Sequence, residues 1–201
     1  MPTPYERLGL RTFINARGTI TTLGGSIMPD EVVQAMVEAS RNFVHLNELH
    51  EKAGARIAEL TSAEGAFISA GAASGLLLAG AACLTGTDAQ AIANLPNIGD
   101  RRNEFVISLV DSHYYVHQGF CVAGGTLRKI GSKDAVTLEN YVEAIGPKTA
   151  AVVYFLGSQP IEDLPAIVTA AHAQDVPVIV DAAAQLPPRS NLIDLPAMRC
   201  D

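Results

Sequence analysis

Apolar positions along the chain repeat with two different periods, and the change comes near residue 65. Before it, Val32, Val33, Met36 and Val37 recur at helical spacing behind a start signal of Pro29, Asp30 and Glu31, which predicts a helix over 29–42. Leu49, Ala53, Ile57 and Leu60 share one face of a second predicted helix over 46–61. From 65 onward short apolar runs alternate with helical patterns: "GAFISA" then "AASGLLLAGAACL", "EFVISLV" then "YYVHQGFCVAG", "TLRKI" then "LENYVEAI", "AAVVYFL" then "LPAIVTAAHAQ", and last "VPVIV". That alternation predicts an α/β fold in which helices wrap a parallel sheet. Val176 to Val180 is β-branched and almost free of polar atoms, as expected of a strand buried on both faces. The closing "DLPAMRCD" has the look of the lead-in to a further strand, so the sheet is expected to be incomplete at its C-terminal end.

Composition narrows the function classes. With 201 residues, 48% of them hydrophobic, the chain can bury a good core as one domain or part of a larger one. The 14 basic residues are scattered among 21 acidic ones, which argues against a nucleic-acid partner. "MPTPYERLGLRTFINARG" lacks the apolar centre of a signal peptide, and "GLLLAGAACL" is too short to span a bilayer, so a cytoplasmic protein without membrane contact is expected. Cys83, Cys121 and Cys200 are odd in number and far apart, and read as reduced, buried, small apolar residues.

Three motifs stand at the carboxyl ends of predicted strands, where open α/β sheets bind ligands. "FISAGAASG" runs from a strand into a glycine-bearing turn and a helix. The amides of Ala72, Ala73 and Ser74 there form either an anion site or a tight turn built for packing. "DSHYYVH" puts His113 at a strand end, where an imidazole can stack on a flat ring, transfer a proton or merely cap a helix. His113 and His117 also have the i, i+4 spacing of a helical metal pair, but no third ligand is evident and no metal is expected; the alternative is one capping and one surface histidine. Asp181 closes the run "VPVIVD" ahead of three alanines and suits a cationic partner such as a protonated ring nitrogen, or else an internal hydrogen bond. A phosphate cradle, a ring-stacking residue and an acid for a ring nitrogen are the three handles of pyridoxal phosphate.

With these residues in place, the chain resembles the fold-type-I pyridoxal-phosphate enzymes, in the group of bacterial selenocysteine synthase and D-glucosaminate-6-phosphate ammonia-lyase. "INARGTITTLGGSIMPDEVVQAM", "ARIAELTSAEGAFISAGAASGLLLAGAACLTGTD" and "VPVIVDAAAQLPP" carry the resemblance across nearly the whole chain. It implies pyridoxal 5′-phosphate as cofactor and an aspartate-aminotransferase-like large domain. Gly71, Ala72, Ala73 and Ser74 fall at the phosphate, His113 on the ring, Asp181 at the pyridine nitrogen, Ala183 under the other ring face and Ser158 near the ring hydroxyl. The family's Schiff-base lysine lies downstream of the acid, about one βα unit later. Lys52, Lys129, Lys133 and Lys148 all precede Asp181 and read as surface charges, so that lysine is absent from these residues.

The resemblance therefore implies residues 1–45 as an N-terminal arm and first helix, 46–201 as a partial cofactor-binding large domain, and no small C-terminal domain. Its activity would be that of a lyase removing ammonia and water from an amino-sugar acid phosphate. The alternatives are a seryl-tRNA selenium transferase-like or aminotransferase-like enzyme, or an inactive fragment without its lysine. A small-molecule substrate and a homo-oligomer, commonly a dimer with the active site at its interface, are implied as well.

Overall fold

In this computed structural model, which describes residues 2–201, four of the apolar runs form strands: β1 (Glu104–Ser108), β2 (Thr126–Ile130), β3 (Thr149–Phe155) and β4 (Val178–Asp181). They pair in parallel in the order β2-β1-β3-β4. The longer helices are α2 (Asp30–Ala39), α3 (Leu46–Thr61), α4 (Ala72–Thr85), α6 (Tyr114–Val122), α7 (Leu138–Ala144) and α8 (Leu164–His172). The remaining helices are α1 (Pro4–Arg7), α5 (Ala89–Asn94) and α9 (Asn191–Ala197), the last as long as α7. The residues up to His45 form one compact unit and Leu46–Asp201 another. None of the helices among the described residues is long and apolar enough to cross a membrane.

The two-residue period of the strands divides the core of the second unit. Val106, Val152 and Tyr154 point to one side, against Tyr141 and Ala144 of α7 and Leu164, Ile167 and Val168 of α8. Phe105, Ile107, Ala151, Val153 and Phe155 point to the other, against Leu76 and Leu84 of α4 and Val116 and Phe120 of α6. Every residue of β3 is buried, because helices cover both its faces and strands lie on both its sides. β2, with Arg128 and Lys129 exposed, is an edge strand made unattractive to further pairing by its charges.

Several expectations are corrected. Residues 65–70 run without a strand ladder, since none of the described strands pairs with them, and Phe67 stays 70% exposed beside His50 with their rings stacked at 5.0 Å. The first part of "DLPAMRCD" belongs to α9, where Leu195 and Met198 pack on the α7/α8 side of the core, and only after it does the chain approach the sheet, the Asp201 amide donating to the Val178 carbonyl of β4 at 3.0 Å. α3 forms over 46–61 as predicted, but it buries Gly54 and Ala58 and leaves Leu49, Ile57 and Leu60 exposed. In the first unit α2 forms within its predicted span, yet Val32, Val33, Met36 and Val37 are all exposed. Cys121 is exposed and Cys83 and Cys200 are half-buried, so none of the three is the fully buried thiol expected.

Gly54 explains which face of α3 turns inward. A Cβ at this position would lie 2.3 Å from the carbonyl oxygen of Ala66, so only glycine lets the 65–70 segment approach so closely. Gly54→Ala is expected to lower the unfolding free energy by about 1–3 kcal/mol, the usual cost of overpacking, seen as a lower urea midpoint. Gly65→Ala, with open space around the added methyl, should leave the midpoint unchanged or slightly raised.

Candidate functional site

All four strands are parallel, so their carboxyl ends and the loops after them share one edge of the sheet. β1, β3 and β4 are consecutive neighbours, which puts the residues after β1 about 10 Å from those after β4, two inter-strand spacings. Three side-chain-bearing loops thus meet along a short stretch of edge.

The loop after β1 turns on Ser108, whose buried Oγ accepts from the Val110 amide at 3.1 Å and directs the chain into Asp111. Asp111 is 1% exposed and collects four hydrogen bonds. Its Oδ1 accepts from His113 Nδ1 at 2.7 Å and from Ser158 Oγ at 3.2 Å. Its Oδ2 accepts from the His113 amide and from His117 Nε2, both at 2.9 Å. Burial pushes this carboxyl up, but the hydrogen bonds from the His113 side chain and amide and from His117 outweigh it and hold it below the ordinary carboxylate range. His117, 2% exposed, lies against the Phe155 ring with centroids 5.2 Å apart. His113, by contrast, has 59% of its side chain exposed.

The loop after β3 is held from below by Gln159, a buried side chain whose Nε2 donates to the Tyr141 hydroxyl at 2.8 Å. Gly157, at φ +99°, makes the turn that brings Ser158 over to Asp111. Gln185 Nε2 donates to the Leu156 carbonyl at 3.3 Å, tying the loop after β4 to the loop after β3. Asp181 is half-buried at the end of β4. Its backbone carbonyl accepts from the Leu156 amide at 3.0 Å and its Oδ1 from the Ala183 amide at 2.9 Å, while Oδ2 makes no hydrogen bond among the described residues. The internal hydrogen bond weighed for Asp181 is therefore present, and it occupies one of the two oxygens. Ala183 is exposed.

At the start of α4, Gly71 adopts φ 108° and ψ 171°, a conformation reserved for glycine. Gly75 makes the first backbone hydrogen bond of the turn, to the Gly71 carbonyl at 3.0 Å, so the amides of Ala72, Ala73 and Ser74 have no intrahelical partner. Gly71, Ala72 and Ala73 are exposed and Ser74 is half-buried. The Ser74 hydroxyl donates back to the Gly71 carbonyl at 2.8 Å, which leaves its amide as the group it can offer a ligand. This first turn lies beside α6, where a Cβ on Gly119 would be 4.0 Å from the Ala73 carbonyl oxygen.

The structure thus joins His113 and Ser158 through one carboxylate and sets Asp181 and Ala183 two strands along the same edge. The i, i+4 histidines converge on Asp111 rather than on a common empty centre, and His117 is a buried residue, not a surface one. Among the described residues no group of three or more His, Cys, Asp and Glu is arranged to hold a metal. Lys52, Lys129, Lys133 and Lys148 are exposed. Asp111 itself escaped the sequence reading, although the signal that marks Asp181, an apolar run closing on an acid, is present in "EFVISLVD" too.

No protein-family model matches the chain. It is 34% identical over 191 residues to the D-glucosaminate-6-phosphate ammonia lyase of Salmonella typhimurium, covering 92% of this chain and 52% of that one. It is equally identical, 34% over 193 residues, to a 5′-C-glycyluridine monooxygenase-decarboxylase of a Streptomyces species, covering 90% and 48%. The L-seryl-tRNA(Sec) selenium transferase of Desulfomicrobium baculatum is 27% identical over 156 residues, 74% of this chain and 32% of its own. The solved structure of a D-glucosaminate-6-phosphate ammonia-lyase superposes with a TM-score of 0.89 at 32% identity, over 100% of this chain and 55% of that one. The chain spans about half the length of the curated relatives it matches. The fold is the parallel-sheet large domain of the aspartate-aminotransferase-like fold type I.

Because the carboxyl of Asp111 titrates lower in the folded chain than in the unfolded one, its ionisation stabilises the fold above the unfolded value, near pH 4, and that contribution fades as pH falls through the folded value. Asp111→Asn is expected to flatten the fall of the urea midpoint below about pH 4 relative to the unmodified chain. A parallel fall in both proteins would show that Asp111 is not the group responsible.

Proposed function

We infer that this chain, a relative of the fold-type-I pyridoxal-phosphate enzymes that include D-glucosaminate-6-phosphate ammonia lyase and the selenium transferase, binds pyridoxal 5′-phosphate at the carboxyl edge of its sheet. Its activity is that of a lyase which removes ammonia and water from an amino-sugar acid phosphate of the D-glucosaminate 6-phosphate kind. The observation that carries this reading is Asp181, a half-buried carboxylate at the end of β4 with Oδ2 left open. A protonated pyridine nitrogen is a donor of the right charge for it.

The other residues fit the same group. The amides of Ala72, Ala73 and Ser74, at the positive end of a 14-residue helix with Gly71 clearing the approach, suit a phosphate. His113 would lie on one ring face and Ala183, with no bulk to obstruct a flat ring, on the other. Ser158 donates its one hydroxyl hydrogen bond to Asp111, so toward a ring hydroxyl it acts as an acceptor. When bound, the cofactor supplies an electron sink for the pair released as a proton leaves the substrate's α-carbon. The chain's own residues bind the phosphate, keep the ring nitrogen protonated and place an imidazole at the reacting side. None of Lys52, Lys129, Lys133 and Lys148 is assigned the covalent link, so the Schiff-base lysine lies outside these residues, as does a small C-terminal domain.

The net charge of −7 argues against a tRNA substrate. Cys83 and Cys200 are poorly suited to act as reactive thiolates, because burial pushes the Cys83 thiol up to about 11 and that of Cys200 upward too. The exposed apolar stripe of α2, in the arm up to residue 45, supports a homo-oligomer, and three free cysteines accord with a cytoplasmic protein.

Pyridoxamine 5′-phosphate needs no lysine to bind, which makes it the probe for a calorimetric titration of the chain. Saturable one-to-one binding is expected, competed by inorganic phosphate. Asp181→Ala should weaken it about 10- to 100-fold, the loss of one charge-assisted hydrogen bond. No saturable binding, or equal binding by the variant, overturns the reading.

A further inference from the structure

The geometry points to Asp111 as a positioning residue that fixes the tautomer of His113, so that Nε2 is presented to the edge of the sheet as a proton carrier. A carboxylate has about four lone-pair sites, and in Asp111 all four are taken: two on Oδ1, from His113 Nδ1 and Ser158 Oγ, and two on Oδ2, from the His113 amide and His117 Nε2. Asp111 has no proton to give in this arrangement, so each of the four partners must be the donor. His113 is then protonated at Nδ1, and in the neutral ring its Nε2 carries the free lone pair. The side chain that bears it is 59% exposed, while the carboxylate behind it is 1% exposed. The same constraint makes His117 the Nε2–H tautomer. That assignment agrees with its Nδ1, the buried side-chain nitrogen that has no hydrogen-bond partner among the described residues: as a lone pair it strands no donor.

The tautomer stands on the hydrogen bonds alone, and only its use rests on the cofactor reading. In that setting Nε2 accepts the proton released at the substrate's α-carbon while Nδ1–H of the charged ring stays on Asp111, and on donation to the leaving hydroxyl the C–O bond breaks as the pair left at the α-carbon closes the Cα–Cβ double bond, water departs and His113 returns to the Nδ1–H form. Three backbone positions enforce the arrangement independently of any ligand: the amide of His113, the start of α6 that carries His117, and the Gly157 turn that carries Ser158.

Long-range proton–nitrogen correlation spectra of the histidine-labelled chain, recorded without cofactor, read the tautomer directly. The expected result is Nδ1–H at His113 and Nε2–H at His117. Asp111→Asn, nearly isosteric, and Asp111→Ala should return His113 toward the Nε2–H form favoured by an isolated histidine. They should also change its rate of carbethoxylation by diethyl pyrocarbonate several-fold, while exposed His45 and His50 keep theirs. An Nε2–H tautomer at His113 in the unmodified chain overturns the inference, and that spectrum does not depend on either variant folding; a His113 indifferent to both substitutions overturns it as well. The cofactor reading fails separately: the predicted tautomers without pyridoxamine 5′-phosphate binding would remove the cofactor and leave the Asp111 arrangement standing.

Discussion

A carboxylate with almost no access to water must find its hydrogen bonds inside the protein, and the edge of this sheet is organised around that requirement at Asp111. Its partners come from three places: the start of α6, the middle of α6 one turn later, and the loop after β3. Removing any one would leave a buried charge partly unsatisfied, so the loops after β1 and β3 hold each other in place. The contact of Gln185 with Leu156 extends the tie to the loop after β4. Asp181, the residue on which the cofactor assignment depends, is thereby connected to His113 through the backbone and side chains of the strand between them.

Close packing beneath the edge lets such short loops suffice. Gly80 of α4 sits where a Cβ would come 2.8 Å from the Phe120 ring, and Gly125 where one would come 2.3 Å from Phe105. Helix α4 therefore seats directly on the Phe120 ring of α6, which is tilted by 34° against Phe105 with the centroids 4.8 Å apart. The start of α4 comes to lie beside α6 because each helix offers a glycine at the contact, Gly80 against Phe120 and Gly119 against Leu77 and Ala73.

The two relatives at 34% identity carry the names of different reactions, an ammonia lyase and a monooxygenase-decarboxylase. This chain matches both at the same identity over about nine-tenths of its length, and a parallel-sheet edge binds and orients without dictating the outcome. The amide cradle, the acid and the imidazole proposed above serve binding and orientation. The choice of substrate rests on contacts beyond them.

The order of elements was legible in the sequence because strands and helices of an α/β fold impose different hydrophobic periods, and "EFVISLV", "AAVVYFL" and "VPVIV" each formed its strand. The position of Asp181 at the end of β4 was legible for the same reason, since a polar residue that closes an apolar run must lie where the strand leaves the core, and His113 was legible at the start of the helix that follows β1. Periodicity is a local property, however, and says nothing of partners. "GAFISA" has the pattern of a strand but no ladder, and Leu49, Ile57 and Leu60 mark a face of α3 that the fold leaves exposed in favour of Gly54 and Ala58. The role of Asp111 is the clearest case, since one of its four donors, Ser158, lies 47 residues further along the chain. Sequence alone determined the four strands that pair and most of the helices, and which polar residues stand at their ends. Only the tertiary structure decided which of those residues share a hydrogen bond, because that depends on strand order and on how closely the helices approach the sheet.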